Sequence, residues 1–353
     1  MKRTFYLLFT VTLCIVLFST YEIFLFSERP EKAIIPLPSK TIQHSKVPDT
    51  SSDIKTEIQF VGDVMLARNV EKLIRTYGIQ YPYESLPPQS TNSFLVGNFE
   101  ATIPKVHVPT KDQKFSFSVD PYFLKGLKEY GFTHLGLANN HSYDFGRDEY
   151  VNAFQELKIQ GLQPFGDQQK QASSTIQFLK IKNKTIAIIG IFEVDEALTK
   201  KEVQSLFTRA KLTSDFQIAF VHWGTEYSLV HTAFQESFAH MLIDAGADAV
   251  VGHHPHVVED IGMYKNAPIF YSLGNFIFDQ YFSEDVEEGL KLTYSLSDQD
   301  VIWSLIPITS VGSRSQPRYM SSFERNSFLT KLAKKSDVSI QSMIEKGLII
   351  VHK

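Results

Sequence analysis

Seven short apolar runs, separated by amphipathic stretches, constrain the fold more than any other feature of the sequence. The runs are 56–63, 93–100, 133–141, 185–193, 216–224, 247–256 and 268–276. Helical patterns lie between several of them, and the segments 151–161 and 232–246 each end in a glycine suited to a helix C-cap. This alternation predicts an α/β fold in which mostly buried strands are interleaved with helices.

Six of the seven runs end in polar residues of types that bind metals. The endings are Asp63; Asn98 with Glu100; Asn139, Asn140 and His141; His222 with Glu226; His254 with His256; and Asn275. A single Asn or Asp after a strand commonly makes a turn, and a lone histidine is usually a hydrogen-bonded core residue. Because ligands in open α/β sheets bind beyond the carboxyl ends of the strands, the six endings together predict one polar site where these ends converge.

The segment 251–258, VGHHPHVV, places three histidines at the end of an apolar run. Imidazole is a poor core filler, but it is a good metal ligand and a proton carrier near neutral pH. On an extended segment, His254 and His256 lie two residues apart and therefore on the same side. Pro255 restricts the backbone between them. His253 does not share this one-sided spacing and is not predicted to be a ligand.

The residue types at these strand ends also narrow the choice of metal. They are Asp, Glu, Asn and His, and the single cysteine, Cys14, lies in the N-terminal apolar stretch. Without thiolates, this set suits Mn, Fe or Zn more than copper(I) or an iron–sulfur cluster. Two divalent metals held about 3.5–4 Å apart activate water near neutral pH. A neighbouring histidine can then protonate a leaving group, and His141, three residues before Asp144, is the candidate.

Six motifs give the body of the chain a resemblance to a known family. They are FVGDVMLARNVE (60–71), VGNFEATI (96–103), LANNHSYDFG (137–146), VHWGTEY (221–227), ADAVVGHHPHVVE (247–259) and FYSLGNFIFDQ (270–280). In this order they resemble the CapA family, the capsule-synthesis proteins of bacteria that make poly-γ-glutamate. That family is similar in fold to the calcineurin-like metallophosphoesterases. The resemblance implies an α/β, layered metallophosphoesterase-like fold with central mixed sheets flanked by helices.

The resemblance also implies a role for each matching residue, in a site with two divalent metal ions. Asp63 is the metal ligand of the first motif, Glu100 takes the bridging position, Asn140 is the Asn of the Asn-His motif, His141 is the proton donor, His222 and His254 complete one metal, and His256 completes the other. The sequence departs from the phosphoesterase pattern at Met65, where a ligand histidine is expected, and at Glu100, where the bridging residue is usually Asp. The metal that loses a ligand at Met65 is bound more weakly, is completed by another residue such as Glu226, or is absent. The departure argues against simple phosphomonoesterase activity.

Three further residues have two interpretations each. Arg68, five positions after Asp63, either clamps a carboxylate or phosphate or is a solvated residue of a first helical turn. Glu226 is either a ligand or partner of His222 or a member of a structural ion pair. Asn275 is expected to position the backbone or the substrate rather than a metal.

The N-terminus predicts a membrane anchor. Lys2 and Arg3 precede an uncharged stretch, Thr4 to Tyr21, which is close to the length that spans a bilayer. No A-x-A-like cleavage pattern precedes Glu28, so residues 1–26 are interpreted as an uncleaved signal-anchor transmembrane helix, with a cleaved signal peptide as the alternative. The positive-inside rule then predicts a single-pass cell-membrane protein whose body is extracytoplasmic.

The rest of the chain divides into three predicted parts. Residues 27–55 mix Pro, Ser and Lys without periodicity and are predicted to be a flexible linker. Residues 56–310 form the domain that carries the resemblance, in which 292–309 could add strands. Residues 311–353 are a C-terminal extension packing on the domain, with a helix from about 320 and a final short strand.

Three functions remain open on the sequence alone. The first is a membrane-anchored component of poly-γ-glutamate capsule synthesis, export or processing, with the anionic polymer and membrane capsule-synthesis proteins as partners. The second is a non-catalytic polymer-binding or scaffold subunit, and the third is a surface metallophosphoesterase acting on another substrate. A net charge of −4 gives no basic surface for nucleic acid, and no ATP-binding loop is present to form amide bonds.

Overall fold

The computed structural model of the chain describes residues 56–111, 115–169, 175–194 and 197–352. The predicted signal-anchor (1–26) and linker (27–55) lie outside the described residues. Within the ranges given, no helix is both long enough and apolar enough to cross a membrane.

Strands and short helices alternate along the described chain much as the apolar runs predict. The strands are β1 (Glu57–Val64), β2 (Ser93–Phe99), β3 (His134–Gly136), β4 (Gln163–Phe165), β5 (Ile176–Ile181), β6 (Lys184–Phe192), β7 (Phe216–His222), β8 (Ala249–His253), β9 (Ile261–Tyr264), β10 (Ala267–Phe270), β11 (Asn275–Ile277), β12 (Glu288–Leu296), β13 (Asp300–Thr309), β14 (Arg318–Tyr319) and β15 (Leu348–His352). The helices are α1 (Arg68–Tyr77), α2 (Leu124–Tyr130), α3 (Arg147–Ile159), α4 (Lys200–Lys211), α5 (Ala233–Ala245), α6 (Glu284–Glu287), α7 (Ser322–Lys335) and α8 (Gln341–Lys346).

These strands build two mixed sheets. The first has the order β14-β13-β12-β1-β2-β3-β4, with β11 also pairing with β1 and β15 with β13. The second has the order β5-β6-β7-β8-β10-β9. Strands β1 to β4 are parallel to one another, as are β6, β7, β8 and β10, whereas β12 runs antiparallel to β1. The prediction of mixed sheets flanked by helices is therefore confirmed.

Apolar clusters lie between the sheets and on their outer faces. The ring centroid of Phe60 lies 5.9 Å from that of Trp303, which belongs to the same sheet. It lies 6.4 Å from that of Phe220, which belongs to the second sheet. Leu157 of α3 belongs to the cluster on the outer face of the first sheet, and Leu242 of α5 to the cluster on the second. Helices thus cover the outer, apolar faces of the two sheets.

Local sequence signals explain where several helices begin and end. α4, α5 and α7 each start with a capping box, in which a Thr or Ser side chain and the Glu or Gln three residues later exchange hydrogen bonds with the backbone. α5 ends at Gly246, whose φ of 118° is accessible to glycine at little cost. The start of α5 thus ends the loop that follows β7, and its end at Gly246 leads into β8.

Residues 311–352 contribute to the same sheets and core. The final strand, β15, pairs with β13 in an antiparallel register in which Ile349 faces Trp303. Leu329 of α7 is fully buried in the cluster between the sheets. The helix and the final strand expected in this tail are therefore present, while the domain boundary at residue 310 stays a prediction.

Candidate metal centre

The candidate metal centre lies where parallel strands of both sheets end. Asp63 is the penultimate residue of β1, and Asn98 of β2 lies opposite it in the parallel register of the two strands. His222 is the last residue of β7, and His253 is the last residue of β8. The register of β1 shifts on both sides of Asp63, and irregularities of this kind re-aim side chains next to functional sites. The convergence predicted from the six strand endings is what the topology produces.

The first group of ligand-type residues is Asp63, Glu100 and His256, which bring one ligand atom each within 4.8 Å of one another. His256 Nδ1 lies 3.3 Å from Asp63 Oδ2, and His256 Nε2 lies 3.5 Å from Glu100 Oε1. Asn275 Oδ1 is 3.0 Å from His256 Nδ1. A hydrogen bond at Nδ1 leaves Nε2 free as a ligand atom. Asn275 therefore orients His256, while its expected role of positioning the backbone or the substrate stays a prediction.

The second group surrounds His222. His222 Nε2 lies 2.8 Å from Asn140 Oδ1, and the imidazole centroids of His222 and His254 are 4.7 Å apart. Glu226, which is exposed, also brings a carboxylate oxygen within 4.8 Å of ligand atoms of His254 and His256. Glu226 is therefore close to ligand atoms of both groups.

His141 stands beside the first group and is held from three sides. Its Nδ1 lies 3.0 Å from Asp144 Oδ2, and its Nε2 lies 3.7 Å from Glu100 Oε1. Its ring stacks on Phe117 at a centroid distance of 4.1 Å. Asp144 Oδ2 also accepts a 2.6 Å hydrogen bond from the Phe117 backbone N–H. The Asp144 carboxylate thus holds both the His141 imidazole and the backbone of Phe117, the residue whose ring stacks on that imidazole.

Arg68 is packed against the same Phe117 ring that His141 stacks on. Its guanidinium carbon is 4.6 Å from the Phe117 ring centroid and 5.8 Å from that of Phe278, and the guanidinium forms an ion pair with Asp279. Arg68 Nε is buried and has no hydrogen-bond partner. The residue begins α1 with a φ of 51°, a conformation that costs a non-glycine residue about 1 kcal/mol or more. The interpretation of Arg68 as a solvated helix residue is therefore wrong.

The extended geometry expected for His254 and His256 is also wrong. Their φ angles are 99° and 60°, so the chain turns sharply around Pro255. Both rings still reach the centre, with centroids 6.0 Å apart, because the turn rather than a pleat places them. His253 is fully buried, with Nδ1 3.6 Å from Asp63 Oδ1 and its ring 4.1 Å from that of Phe220.

Four residues of the centre were not among those singled out as site residues. Asn98 Nδ2 donates to Asp63 Oδ1 at 2.8 Å and lies 3.3 Å from Glu100 Oε2. Asn139 orients Asn98 by donating to its Oδ1 at 3.1 Å. Both belong to the polar strand endings, which was the available signal. Asp279 lies within the motif 270–280 and Phe117 in a loop outside the quoted motifs, and only the tertiary structure brings the two residues to Arg68.

Burial and mutual charge perturb the pKa values of these groups. Burial raises the pKa of Glu100 well above its ordinary value. The positive charge of His256 acts to lower this pKa, and the negative charge of Asp63 acts to raise it further. Burial also acts to raise the pKa of Asp63, but the neighbouring imidazoles outweigh it and hold that pKa well below its usual range. Burial lowers the pKa of His254 to about 4 and that of His222 well below its usual value. Burial acts to lower the pKa of His256, but Glu100 and Asp63 outweigh it and raise it to about 9.

The residues present fit divalent metal ions. Glu100 Oε1 and His254 Nδ1 are buried without hydrogen-bond partners, and leaving such atoms unpaired costs about 1–3 kcal/mol each. Oxygen and imidazole donors of this kind suit Mn, Fe or Zn. His222 and His254 are neutral near pH 7, which is the form that binds a metal.

The fold and the site together define an α/β protein with two mixed sheets and a buried, metal-capable centre at their strand ends. The chain belongs to the family described as bacterial capsule synthesis protein PGA_cap, whose model matches residues 57–280.

Two named relatives agree with this membership. The chain is 30% identical over 305 residues to the capsule biosynthesis protein CapA of Bacillus anthracis, covering 79% of this chain and 73% of that protein. It is 29% identical over 305 residues to the PGA biosynthesis protein CapA of Bacillus subtilis (strain 168), covering 82% of this chain and 80% of that protein. The predicted membership of the CapA family is thereby confirmed. Among solved structures, a hypothetical protein from Thermus thermophilus superposes with a TM-score of 0.44 and 17% identity, over 75% of this chain and 98% of that one.

Proposed function

We propose that this chain is a metal-dependent, hydrolase-like component of poly-γ-glutamate capsule synthesis, export or processing, with a dinuclear centre of metallophosphoesterase type. The observation that carries the proposal is His141, held by Asp144 with its free nitrogen 3.7 Å from the buried carboxylate of Glu100. The names of the Bacillus relatives support the polymer, since they describe capsule and PGA biosynthesis.

Two divalent metals, Mn, Fe or Zn, are assigned to the two groups of ligand-type residues. Asp63, Glu100 and His256 would hold one, and Asn140, His222 and His254 the other, with Glu226 as an additional ligand. Such metals supply Lewis acidity and activate water near neutral pH.

The remaining residues bind substrate and move protons. The Asp144 carboxylate accepts from His141 Nδ1–H, so the proton that His141 exchanges with substrate is at Nε2. We assign Arg68, whose guanidinium pairs with Asp279 but whose Nε has no partner, to bind an anionic group of the substrate. A polyanionic chain such as poly-γ-glutamate matches this combination of metal and guanidinium.

A non-catalytic polymer-binding or scaffold subunit is the second candidate, and Met65 favours it. Met65 is fully buried and its sulfur accepts a 3.0 Å hydrogen bond from the Ala67 backbone N–H. This position therefore packs the core instead of binding a metal, which reduces the ligands available at the first group.

The metal content of the purified full chain tests the proposed centre. After growth with Mn, Fe and Zn, elemental analysis is expected to find about two equivalents of divalent metal per chain, and His254→Ala is expected to lose at least one. His240→Ala is the matched control, because His240 stacks on Tyr264 and takes no part in the centre. A wild-type chain without any transition metal would show that the dinuclear assignment is wrong.

We also propose that the body is anchored outside the cytoplasm, as Lys2, Arg3 and the uncharged stretch that follows them suggest. Its partners would then be the polymer and membrane capsule-synthesis proteins. Protease added to intact protoplasts is expected to degrade the body, detected with an antibody against a C-terminal epitope. Complete protection in intact protoplasts, with degradation after lysis, would reverse the orientation.

A further inference from the structure

A buried lysine lies in a second polar cluster, built from residues that take no part in the candidate metal centre. Lys291 of β12 is only 4% exposed. Its ammonium group donates to Gln89 Oε1 and to the Tyr319 hydroxyl, both at 3.1 Å. Both partners are neutral. Burying an ammonium without a counter-charge costs several kcal/mol, so this arrangement calls for an explanation.

No carboxylate in the described part of the chain forms an ion pair with Lys291. The nearby Glu57 carboxylate accepts a 2.7 Å hydrogen bond from Gln59 instead. Burial lowers the pKa of Lys291 to about 8, and the charge of Glu57 offsets this only in part. The ammonium is therefore an incompletely neutralised buried cation.

A cavity is lined in part by Gln89, the residue that accepts a hydrogen bond from Lys291. The cavity has a volume of about 620 Å³ and lies between the loop 80–93 and the segment 128–133. Gln89 and Tyr130 both line it. Gln89 is half-buried and lies between Lys291 and the cavity. Its Oε1 accepts a hydrogen bond from Lys291, and its Nε2 donates one to the Tyr130 hydroxyl. Rotation of this one side chain would open Lys291 to the cavity.

We propose that this cavity binds a small anion, through a carboxylate or phosphate group that displaces the Gln89 amide from Lys291. The hydroxyl groups of Tyr130 and Tyr319 lie next to the same position and can donate to it. The Gln89 amide offers Lys291 only a neutral acceptor, whereas a carboxylate or phosphate oxygen would accept the same hydrogen bond and carry the opposite charge. The anion would also neutralise the buried charge, which Gln89 cannot do.

Ligand-dependent thermal unfolding of the full chain tests the site. Inorganic phosphate and L-glutamate are titrated separately, each against sodium chloride at the same ionic strength, which distinguishes a phosphate from a carboxylate ligand. At least one of them is expected to raise the Tm saturably, by about 2–4 °C at high occupancy. Lys291→Met keeps the aliphatic stem and is expected to weaken binding about tenfold or to abolish it.

Two further variants make the result specific to Lys291. Lys128→Met removes a charge from the same cavity but leaves the anion contact intact, because Lys128 Nζ donates to the Gly161 carbonyl, and it is expected to bind as the wild type does. Gln89→Ala removes the competing amide and is expected to bind several-fold more tightly, which keeps the test valid if Lys291→Met does not fold. Saturable shifts of equal size in the wild type and Lys291→Met, or no saturable shift in either the wild type or Gln89→Ala, would overturn the proposal.

Discussion

His141→Ala is expected to retain the metal and the fold and to lose capsule processing by a factor of about 10²–10⁴, the usual contribution of a general acid. The reason is geometric: His141 faces Glu100 at 3.7 Å through Nε2, and its other nitrogen is committed to Asp144. Metal content and polymer processing are measured on the same purified full-length variants, and capsule yield on the corresponding strains.

His254→Ala and Asp144→Asn complete this experiment. His254→Ala is expected to lose metal and activity together, since His254 is one of the proposed ligands. Asp144→Asn keeps the shape of the side chain but removes its charge, and is expected to reduce activity by about 10–100-fold with full metal content, as for other groups that orient a functional histidine. Normal capsule and unchanged processing in His141→Ala would instead favour the scaffold function.

Gly62→Ala is expected to destabilise the protein by about 3 kcal/mol or more. The added methyl group would clash with backbone atoms, and such a clash cannot be relieved by rotating a side chain. A Cβ at Gly62 would lie 1.8 Å from the Gly274 carbonyl oxygen. The same carbonyl accepts a 3.0 Å hydrogen bond from the Asp63 backbone N–H, so moving it away would break the contact that positions Asp63. Urea unfolding and metal content are both measured.

Gly78→Ala is the matched control for this substitution. Gly78 follows α1 with a φ of 107°, and a Cβ there would meet nothing within 4 Å. Gly78→Ala is expected to cost about 1–3 kcal/mol through backbone strain and, unlike Gly62→Ala, to keep normal metal content. Equal stability of the two variants would show that the close approach of β1 and β11 is not rigid.

The sequence predicted those features that depend on local patterns of residues along the chain. Apolar runs of strand length alternate with amphipathic segments, so the α/β class follows from periodicity, and the mixed sheets are what the family resemblance implied. The polar residues after the runs, such as Asp63 and His222, could be assigned to one site because ligands in α/β folds bind beyond the carboxyl ends of the strands. The family motifs added His141 and Asn140 as a pair with distinct roles.

The tertiary structure decided how these residues are used. Arg68 meets Asp279 from 211 positions away, and no local pattern specifies such a pairing. The turn around Pro255 replaces the extended segment that the spacing of the histidines had suggested, because the positive φ angles there are imposed by the surrounding chain. No sequence pattern singled out Lys291, because its burial depends on contact with Gln89, 202 positions away in the chain.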